Sequence, residues 1–327
     1  MVVTVHSSLE GGPVGQDILS GMSQELSFST EEYQRRVEGV REAMREADVD
    51  VLVVRHPPNV YYLSGHQSFS MFNGECVILP LEGQPTLVVH PPELGTALMH
   101  TWLEQVHGYT GRGEQENYQA TLLAEQGFSR SRIGVEKTLS GMTADSLERM
   151  RGALPNAELV DGSAFVSTVK ITKSQQEIEY LRQAARITDA GILAAIEAAG
   201  EGKTDNDVAA AGNHAMFTAG SEYMCISPIV TSGRRSGILH STHKRVPLSK
   251  GDSLCMEFGA SFERYTAPMM RTVSIGEPEP GVALLAKACI TALNNVISIM
   301  RPGITADEVA KAGWEPPAFH DHKICVL

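Results

Sequence analysis

The first regular pattern in the chain starts at Ser29, which has the Ser-x-x-Glu spacing of a capping box. After it, apolar side chains recur three or four residues apart, at Tyr33, Val37, Val40 and Met44. This spacing places them on one face of a helix. We therefore predict a helix that begins at Ser29 and ends near Ala47.

Short, continuous apolar runs follow, and runs of this kind predict strands that are buried on both faces. They lie at residues 51–54, 76–79, 86–89 and 133–135. Helical patterns are predicted between them, at residues 94–106 and 143–154. Strands that alternate with helices indicate an α/β domain, which we place at residues 28–168. Residues 1–27 show neither a helical pattern nor a continuous apolar run, and we expect a disordered extension there.

The second half of the chain has a different order of elements. A capping box at Ser174 predicts a long helix to about Ala199, with this apolar stripe: Ile178, Leu181, Ala185, Thr188, Ile192 and Ile196. A second helix follows from Thr204. Strands are predicted next at residues 227–231, 253–257 and 271–275, and then helices at 282–300 and from Thr305. These patterns predict an α+β protein whose second domain occupies residues 169–327.

Composition is that of a globular protein, with 42% hydrophobic and 20% charged residues among 327. The net charge of −12 argues against nucleic acid and anionic membranes as partners. We find no uncharged apolar run of about 18 residues, so we expect no membrane-spanning segment. The N-terminus lacks the pattern of a secretory signal, and five scattered cysteines suit a reducing compartment. We expect a cytoplasmic protein.

Two residues are candidates for catalysis. His240 has a side chain whose ordinary pKa suits general acid–base chemistry, although a histidine in a loop can simply face solvent. Glu257 ends an apolar run, where a carboxylate is costly to bury unless it is paired or used. It could attack a carbon as a nucleophile, activate a water molecule or pair with a cationic substrate. The alternative is a structural ion pair with Arg264 or Arg271.

Other side chains near these two are candidates for substrate binding. Arg264 and Tyr265 follow the strand that ends at Glu257, and both could line a pocket there. His243 makes a His-x-x-His motif with His240. On a strand or loop this spacing does not place both rings on one metal ion, so we assign His243 to substrate binding. The sequence has no Walker motif and no Gly-x-Ser-x-Gly motif.

Three features of the second half occur in a known order: Lys173-Ser174-x-x-Glu177-Ile178 opening a long helix, then His240, then a Lys250-Gly251-Asp252 turn before an acidic strand end. In this order they resemble the creatinase and Xaa-Pro peptidase family. The resemblance implies a creatinase-like N-terminal α/β domain and a catalytic domain of pita-bread fold. It also implies a homodimer, in which a strand-turn segment at residues 59–65 reaches the partner's active site. Tyr62 would contact a small-molecule substrate there.

The resemblance also bears on metal binding. Metal-dependent members of the family carry an Asp at the place of Glu257 and a second Asp at the place of Pro268. Proline offers no ligand atom, so we predict a hydrolase with no metal and no cofactor. Metal-free members, creatinase and ectoine hydrolase, cleave C–N bonds in small polar metabolites. The Tyr265-x-x-Pro268 motif after Glu257 resembles the ectoine-hydrolase branch. An Xaa-Pro metallopeptidase is the alternative.

The resemblance stops near Gly313 and Trp314. Intact relatives continue with further strands, another histidine and two acidic residues. We therefore expect a C-terminally truncated chain with an incomplete pita-bread domain and impaired activity. A further alternative is a non-catalytic remnant that dimerises with a full-length relative.

Overall fold

The computed structural model describes residues 23–69, 74–109, 114–138 and 141–314, together with the backbone of residues 4–7. The chain divides into two compact units, Met1–Ser174 and Gln175–Leu327. The boundary that we predicted, after residue 168, falls within the last helix of the first unit, Ser163–Ile171.

In its described residues, the first unit contains a seven-stranded mixed sheet in the order β1-β5-β4-β3-β2-β6-β7. The strands are β1 (Thr4–Ser7), β2 (Val51–Val54), β3 (Cys76–Pro80), β4 (Thr86–Val89), β5 (Gln105–Gly108), β6 (Arg132–Val135) and β7 (Glu158–Asp161). The helices are α1 (Thr30–Glu46), α2 (Pro57–Ser64), α3 (Leu94–His100), α4 (Gln115–Glu125), α5 (Ala144–Ala153) and α6 (Ser163–Ile171). Strands β2, β3 and β4 are buried along their whole length, as their continuous apolar runs predict.

Three parts of the first unit differ from the prediction. The helix expected over residues 94–106 ends at His100, and β5 follows, because residues 105–108 alternate between half-buried and buried positions and pair with β4. The strand-turn expected over residues 59–65 is helix α2, which has Pro57 in its first turn. The extension expected over residues 1–27 includes strand β1, where β-branched Thr4 and Val5 pair with β5.

The described part of the second unit begins with two packed helices, α7 (Gln175–Ala198) and α8 (Asp205–Thr218). A capping box between Thr204 and Asp207 starts α8. A three-stranded antiparallel sheet follows, made of β8 (Ile229–Ser232), β9 (Ser253–Phe258) and β12 (Met269–Ser274), with β9 in the middle. A short hairpin, β10 (Ser261–Phe262) and β11 (Tyr265–Thr266), joins β9 to β12.

The buried face of α7 is rotated from the apolar stripe that we predicted. Thr188 and Ile192 of that stripe are buried, as are Ala184 and Gly191 beside them, whereas Ile196 is exposed. Any side chain at Gly191 would overlap Met216 of α8, and any side chain at Gly212 would overlap the ring of Phe258. The two helices therefore approach each other through small residues, which a pattern based on large apolar side chains does not detect.

The described chain ends with helices α9 (Pro280–Ile299) and α10 (Ala306–Trp314), which pack against each other. Ala288 is buried, whereas Leu284, Ile290, Leu293 and Ile297 are each more than half exposed. At 20 residues and a mean hydropathy of 1.7, α9 is long and apolar enough to cross a membrane. We expected no membrane-spanning segment because Lys287 interrupts the uncharged run, and length and composition alone do not overturn that expectation. A single helix of this kind does not assign a membrane protein.

Candidate active site

Glu257 lies on the open face of the three-stranded sheet. Along β9 the side chains alternate, so that Leu254, Met256 and Phe258 are buried against α7 and α8 while Glu257 points the other way. Its neighbours across the sheet are Ile229 on β8 and Met270 on β12. The alternation of the sequence therefore places this carboxylate where a small molecule can reach it.

Pro268 and Cys225 meet beside Gly259, two residues beyond Glu257. A side chain at Gly259 would overlap the Cys225 sulfur and come within 3.1 Å of Pro268 Cβ. The Cys225 backbone N–H donates to the Gly259 carbonyl at 2.9 Å. Burial raises the pKa of the Cys225 thiol, and the negative charge of Glu257 raises it further. Cys225 is therefore a neutral thiol at pH 7 and not an activated nucleophile.

These side chains do not fit a two-metal centre. Pro268 stands directly before β12 and opposite Gly259, and it offers no ligand atom. Across the part of the chain that the structure describes, no group of three or more His, Cys, Asp and Glu side chains is arranged to hold a metal ion.

The loop that carries both candidate histidines runs beside β8. The Thr242 hydroxyl donates to the Pro228 carbonyl at 3.2 Å. Pro228 precedes Ile229, whose partner across the sheet is Glu257. The loop therefore passes beside β8, the strand next to β9, near the position where Ile229 pairs with Glu257. His240 is exposed and has a positive φ of 55°, which places it in a tight bend of this loop.

The hydrogen bonds of Thr242 also favour one tautomer of His243. The hydroxyl has one hydrogen, which it donates to Pro228, so it accepts the hydrogen bond that joins it to His243 Nδ1 at 3.1 Å. In this hydrogen-bond arrangement Nδ1 carries the ring hydrogen of the neutral imidazole, and Nε2 is the nitrogen that accepts a proton. This arrangement suits His243 for moving protons as well as for binding.

Arg264 has structural contacts in the hairpin. Its Nε lies 3.6 Å from Glu222 Oε2, and its guanidinium lies 5.3 Å from the centre of the Tyr223 ring. Burial raises the pKa of Glu222, whose carboxylate also accepts the backbone N–H of Glu263 at 2.8 Å. Glu263 and Arg264 both have positive φ. Glu222 thus stabilises a strained turn, and a role of Arg264 in substrate binding stays a prediction.

Tyr265 and Tyr62 are also tied into their own units. Tyr265 donates to Glu177 Oε1 at 2.7 Å and its ring packs against Tyr180. In the first unit, Tyr62 is buried, and the Arg36 guanidinium lies 4.3 Å from the centre of its ring. Contact of either tyrosine with substrate stays a prediction.

Arg235 is a site residue that the sequence patterns did not single out. It belongs to the short 3-10 helix Gly233–Gly237 that follows β8. Its Nη2 donates to Ser241 Oγ at 3.0 Å and to the Thr242 carbonyl at 2.6 Å. The guanidinium therefore holds the histidine loop in place. The signal that could have found it is the absence of Asp and Glu from residues 223–251.

Comparison with known proteins shows the family of this chain. Residues 36–171 match the Creatinase/Prolidase N-terminal domain, and residues 179–320 match Metallopeptidase family M24. The creatinase of a Bacillus species is 32% identical over 302 residues, which cover 90% of this chain and 73% of that enzyme. The chain belongs to the creatinase and M24 peptidase family. The resemblance and the fold class that we predicted from sequence are confirmed.

Other members of the creatinase and M24 peptidase family are similar over comparable lengths. The ectoine hydrolase of Halomonas elongata is 28% identical over 305 residues, covering 88% of this chain and 76% of that enzyme. The prolidase structure from Pyrococcus horikoshii has a TM-score of 0.77 at 23% identity, covering 88% of this chain and 78% of that one. The chain is thus a hydrolase-family member with a prolidase-like, pita-bread fold.

Proposed function

We propose that this protein is a metal-independent hydrolase that cleaves a C–N bond in a small polar metabolite, as the ectoine-hydrolase branch of its family does. The observation that carries the proposal is the combination of Glu257 and Pro268 at the end of β9. Glu257 faces the open side of the sheet, and Pro268 occupies the place opposite Gly259 where a second carboxylate would be needed to hold two metal ions.

In the proposed reaction Glu257 promotes attack on an electrophilic carbon, such as the central carbon of an amidine. A Glu257 oxygen either adds to that carbon or takes a proton from a water molecule that adds there. Both routes make the carbon tetrahedral. Its C–N bond then breaks as the nitrogen takes up a proton, which protonated His243 or His240 supplies. If Glu257 has added, the intermediate is an acyl imidate of Glu257, since the second amidine nitrogen stays on the carbon. Water hydrolyses it to an amide and restores the carboxylate.

The relatives support this choice in part. An ectoine hydrolase and a creatinase are among them at 28% and 32% identity. A second candidate is an Xaa-Pro dipeptidase, because the enzyme of that name from Pyrococcus furiosus is 26% identical over 276 residues. A dipeptidase of this kind would need metal ions, which the side chains beside Glu257 do not fit.

The test uses the purified 327-residue chain incubated with ectoine, creatine or glycyl-proline. Each reaction is run with EDTA and with added Mn²⁺, and products are identified by mass spectrometry. We expect ring opening of ectoine at a rate that EDTA does not change. Cleavage of glycyl-proline that requires Mn²⁺ would replace this proposal by the dipeptidase. No turnover of any of the three would reject both hydrolase assignments.

A further inference from the structure

The segment around the histidine loop has a charge opposite to that of the whole chain. Residues 223–251 contain no Asp or Glu, although the net charge of the protein is −12. The same residues include five cationic side chains: Arg234, Arg235, Lys244, Arg245 and Lys250. A local excess of positive charge attracts anionic groups of a ligand.

Arg235 differs from the other cations because neutral groups fix its position. Both of its protein acceptors, Ser241 Oγ and the Thr242 carbonyl, are uncharged, and both bind Nη2. Its Nε is buried and has no hydrogen-bond acceptor. Within the described ranges, no carboxylate lies at ion-pair distance from Arg235. A partly buried cation without a counterion is costly, and an anion beside Nη1 would offset that cost.

Other arginines of the second unit do not have this combination. Arg264 lies against Glu222. Arg271 is exposed and donates from Nη1 to the neighbouring Met270 carbonyl at 2.7 Å. Arg234, directly before Arg235, is exposed. Among the arginines that the structure describes in the second unit, Arg235 is therefore the one that neutral groups hold in place and that has no carboxylate at ion-pair distance.

The position of Arg235 relates it to the reacting centre. It binds the carbonyl of Thr242, and Thr242 in turn binds Pro228 at the level of Glu257. Through Thr242, the guanidinium is therefore connected to the end of β8 that begins at Ile229. Arg235 and Glu257, which carry opposite charges, are thus connected through Thr242, Pro228 and Ile229.

We propose that Arg235 binds a carboxylate group of the substrate, and that the substrate is therefore an amino-acid-like zwitterion. The cationic part of the substrate would face Glu257 and its carboxylate would face Nη1 of Arg235. This inference rests on the proposed function in taking Glu257 as the reacting centre. The binding of a carboxylate to Arg235 can nevertheless be measured without any turnover.

The experiment follows the side-chain Nε–H signal of Arg235 by nuclear magnetic resonance in the 327-residue chain. The signal is assigned by its loss in Arg235→Lys. Sodium acetate and ectoine are the probes, and sodium chloride at equal ionic strength is the control. We expect acetate and ectoine to shift the Arg235 signal saturably, with ectoine acting at lower concentration, and chloride to leave it unchanged. An Arg235 signal that neither carboxylate shifts overturns the proposal.

Variants give a second readout by calorimetric titration with ectoine. We expect Arg235→Gln to weaken binding roughly ten- to a hundred-fold, and Arg235→Lys to weaken it less because it keeps the charge. The matched control Arg234→Gln should bind within about two-fold of the unaltered protein. Melting temperatures show whether Arg235→Gln still folds, and Arg235→Lys serves as the test if it does not. Equal binding by the variants at 234 and 235 rejects the proposal.

Turnover separates this inference from the proposed function. If acetate shifts Arg235 but no C–N bond is cleaved, the carboxylate site stands and the proposed reaction fails. If ectoine is hydrolysed while the Arg235 signal does not respond, the reaction stands and the site fails.

Discussion

Tyr265 donates its hydroxyl hydrogen to Oε1 of the buried Glu177 at 2.7 Å, and so ties β11 to the first turn of α7. A hydrogen bond to a buried charged group contributes more to stability than a neutral one. The same tyrosine was expected from sequence to bind substrate, and the two roles make different predictions.

If the contact is structural, Tyr265→Phe lowers the free energy of unfolding by about 1–3 kcal/mol, because a buried carboxylate loses a donor. Urea denaturation measures this change. Tyr180→Phe is the matched control, since it also removes a hydroxyl from the same aromatic cluster. Unchanged stability with a raised KM for ectoine would instead assign Tyr265 to the substrate.

Glu257→Gln tests the reacting carboxylate. It keeps the shape of the side chain but removes its charge and its nucleophilicity, so we expect kcat for ectoine to fall roughly 10²–10⁴-fold. The melting temperature should stay close to that of the unaltered protein. Glu277→Gln removes an equal charge from an exposed position nearby in the sequence and should keep full activity. A Glu257→Gln variant with normal kcat would exclude the proposed role.

Cys225→Ser tests the thiol beside Glu257. Burial raises the pKa of Cys225, so it is protonated at neutral pH and we expect it to take no covalent part in the reaction. The variant should keep kcat within about five-fold, and iodoacetamide at pH 7 should label exposed Cys289 faster than Cys225. Loss of activity comparable to that of Glu257→Gln would contradict this assignment.

Gly212→Ala tests the close approach of α8 to β9. The added methyl group would overlap the Phe258 ring, so we expect a loss of about 1–3 kcal/mol in the free energy of unfolding. Gly200→Ala adds the same group where no atom lies within 4 Å, and should change stability little. Thermal denaturation of the two variants compares them, and equal melting temperatures would contradict the packing described.

Glu32 predicts a dependence of stability on pH. Burial alone would raise its pKa, but hydrogen bonds from Arg35 and Arg36 outweigh burial and lower the pKa to about 2. Because the folded pKa lies below the ordinary value of 4.5, this stabilisation is present above pH 4.5 and is lost as the pH falls towards 2.

Glu32→Gln should therefore lower the free energy of unfolding at pH 7 by roughly 1–3 kcal/mol, and the difference should shrink below pH 4.5. Urea titrations at several pH values measure it. Glu42→Gln, on an exposed position of the same helix, should give a curve parallel to that of the unaltered protein. A deficit for Glu32→Gln that stays constant down to pH 2 would contradict the pKa shift.

Features that depend on neighbours in the sequence could be predicted. Ser29 caps α1 by accepting the Glu32 N–H, as its spacing indicates. Glu257 faces the open side of the sheet because side chains alternate along any strand. In both cases the decisive contacts lie within a few residues, so a local pattern is sufficient.

Features that depend on distant contacts could not be predicted. The rotation of α7 follows from Gly191 packing against Met216, and the partner of Tyr265 is 88 residues away in Glu177. The anchoring of Arg235 likewise requires the loop to fold back against β8. None of these pairings has a signature in the order of residues alone.

Because side chains alternate along β9, the residues that stabilise the fold and the residue proposed for the chemistry lie on opposite faces of the strand. The side chains at 254, 256 and 258 belong to the hydrophobic core, while the position at 257 contributes nothing to it. A lineage can therefore exchange the residue at 257, together with residue 268 directly before β12, without rebuilding the domain. Enzymes with different reactions can thus diverge by a few substitutions at one end of one sheet.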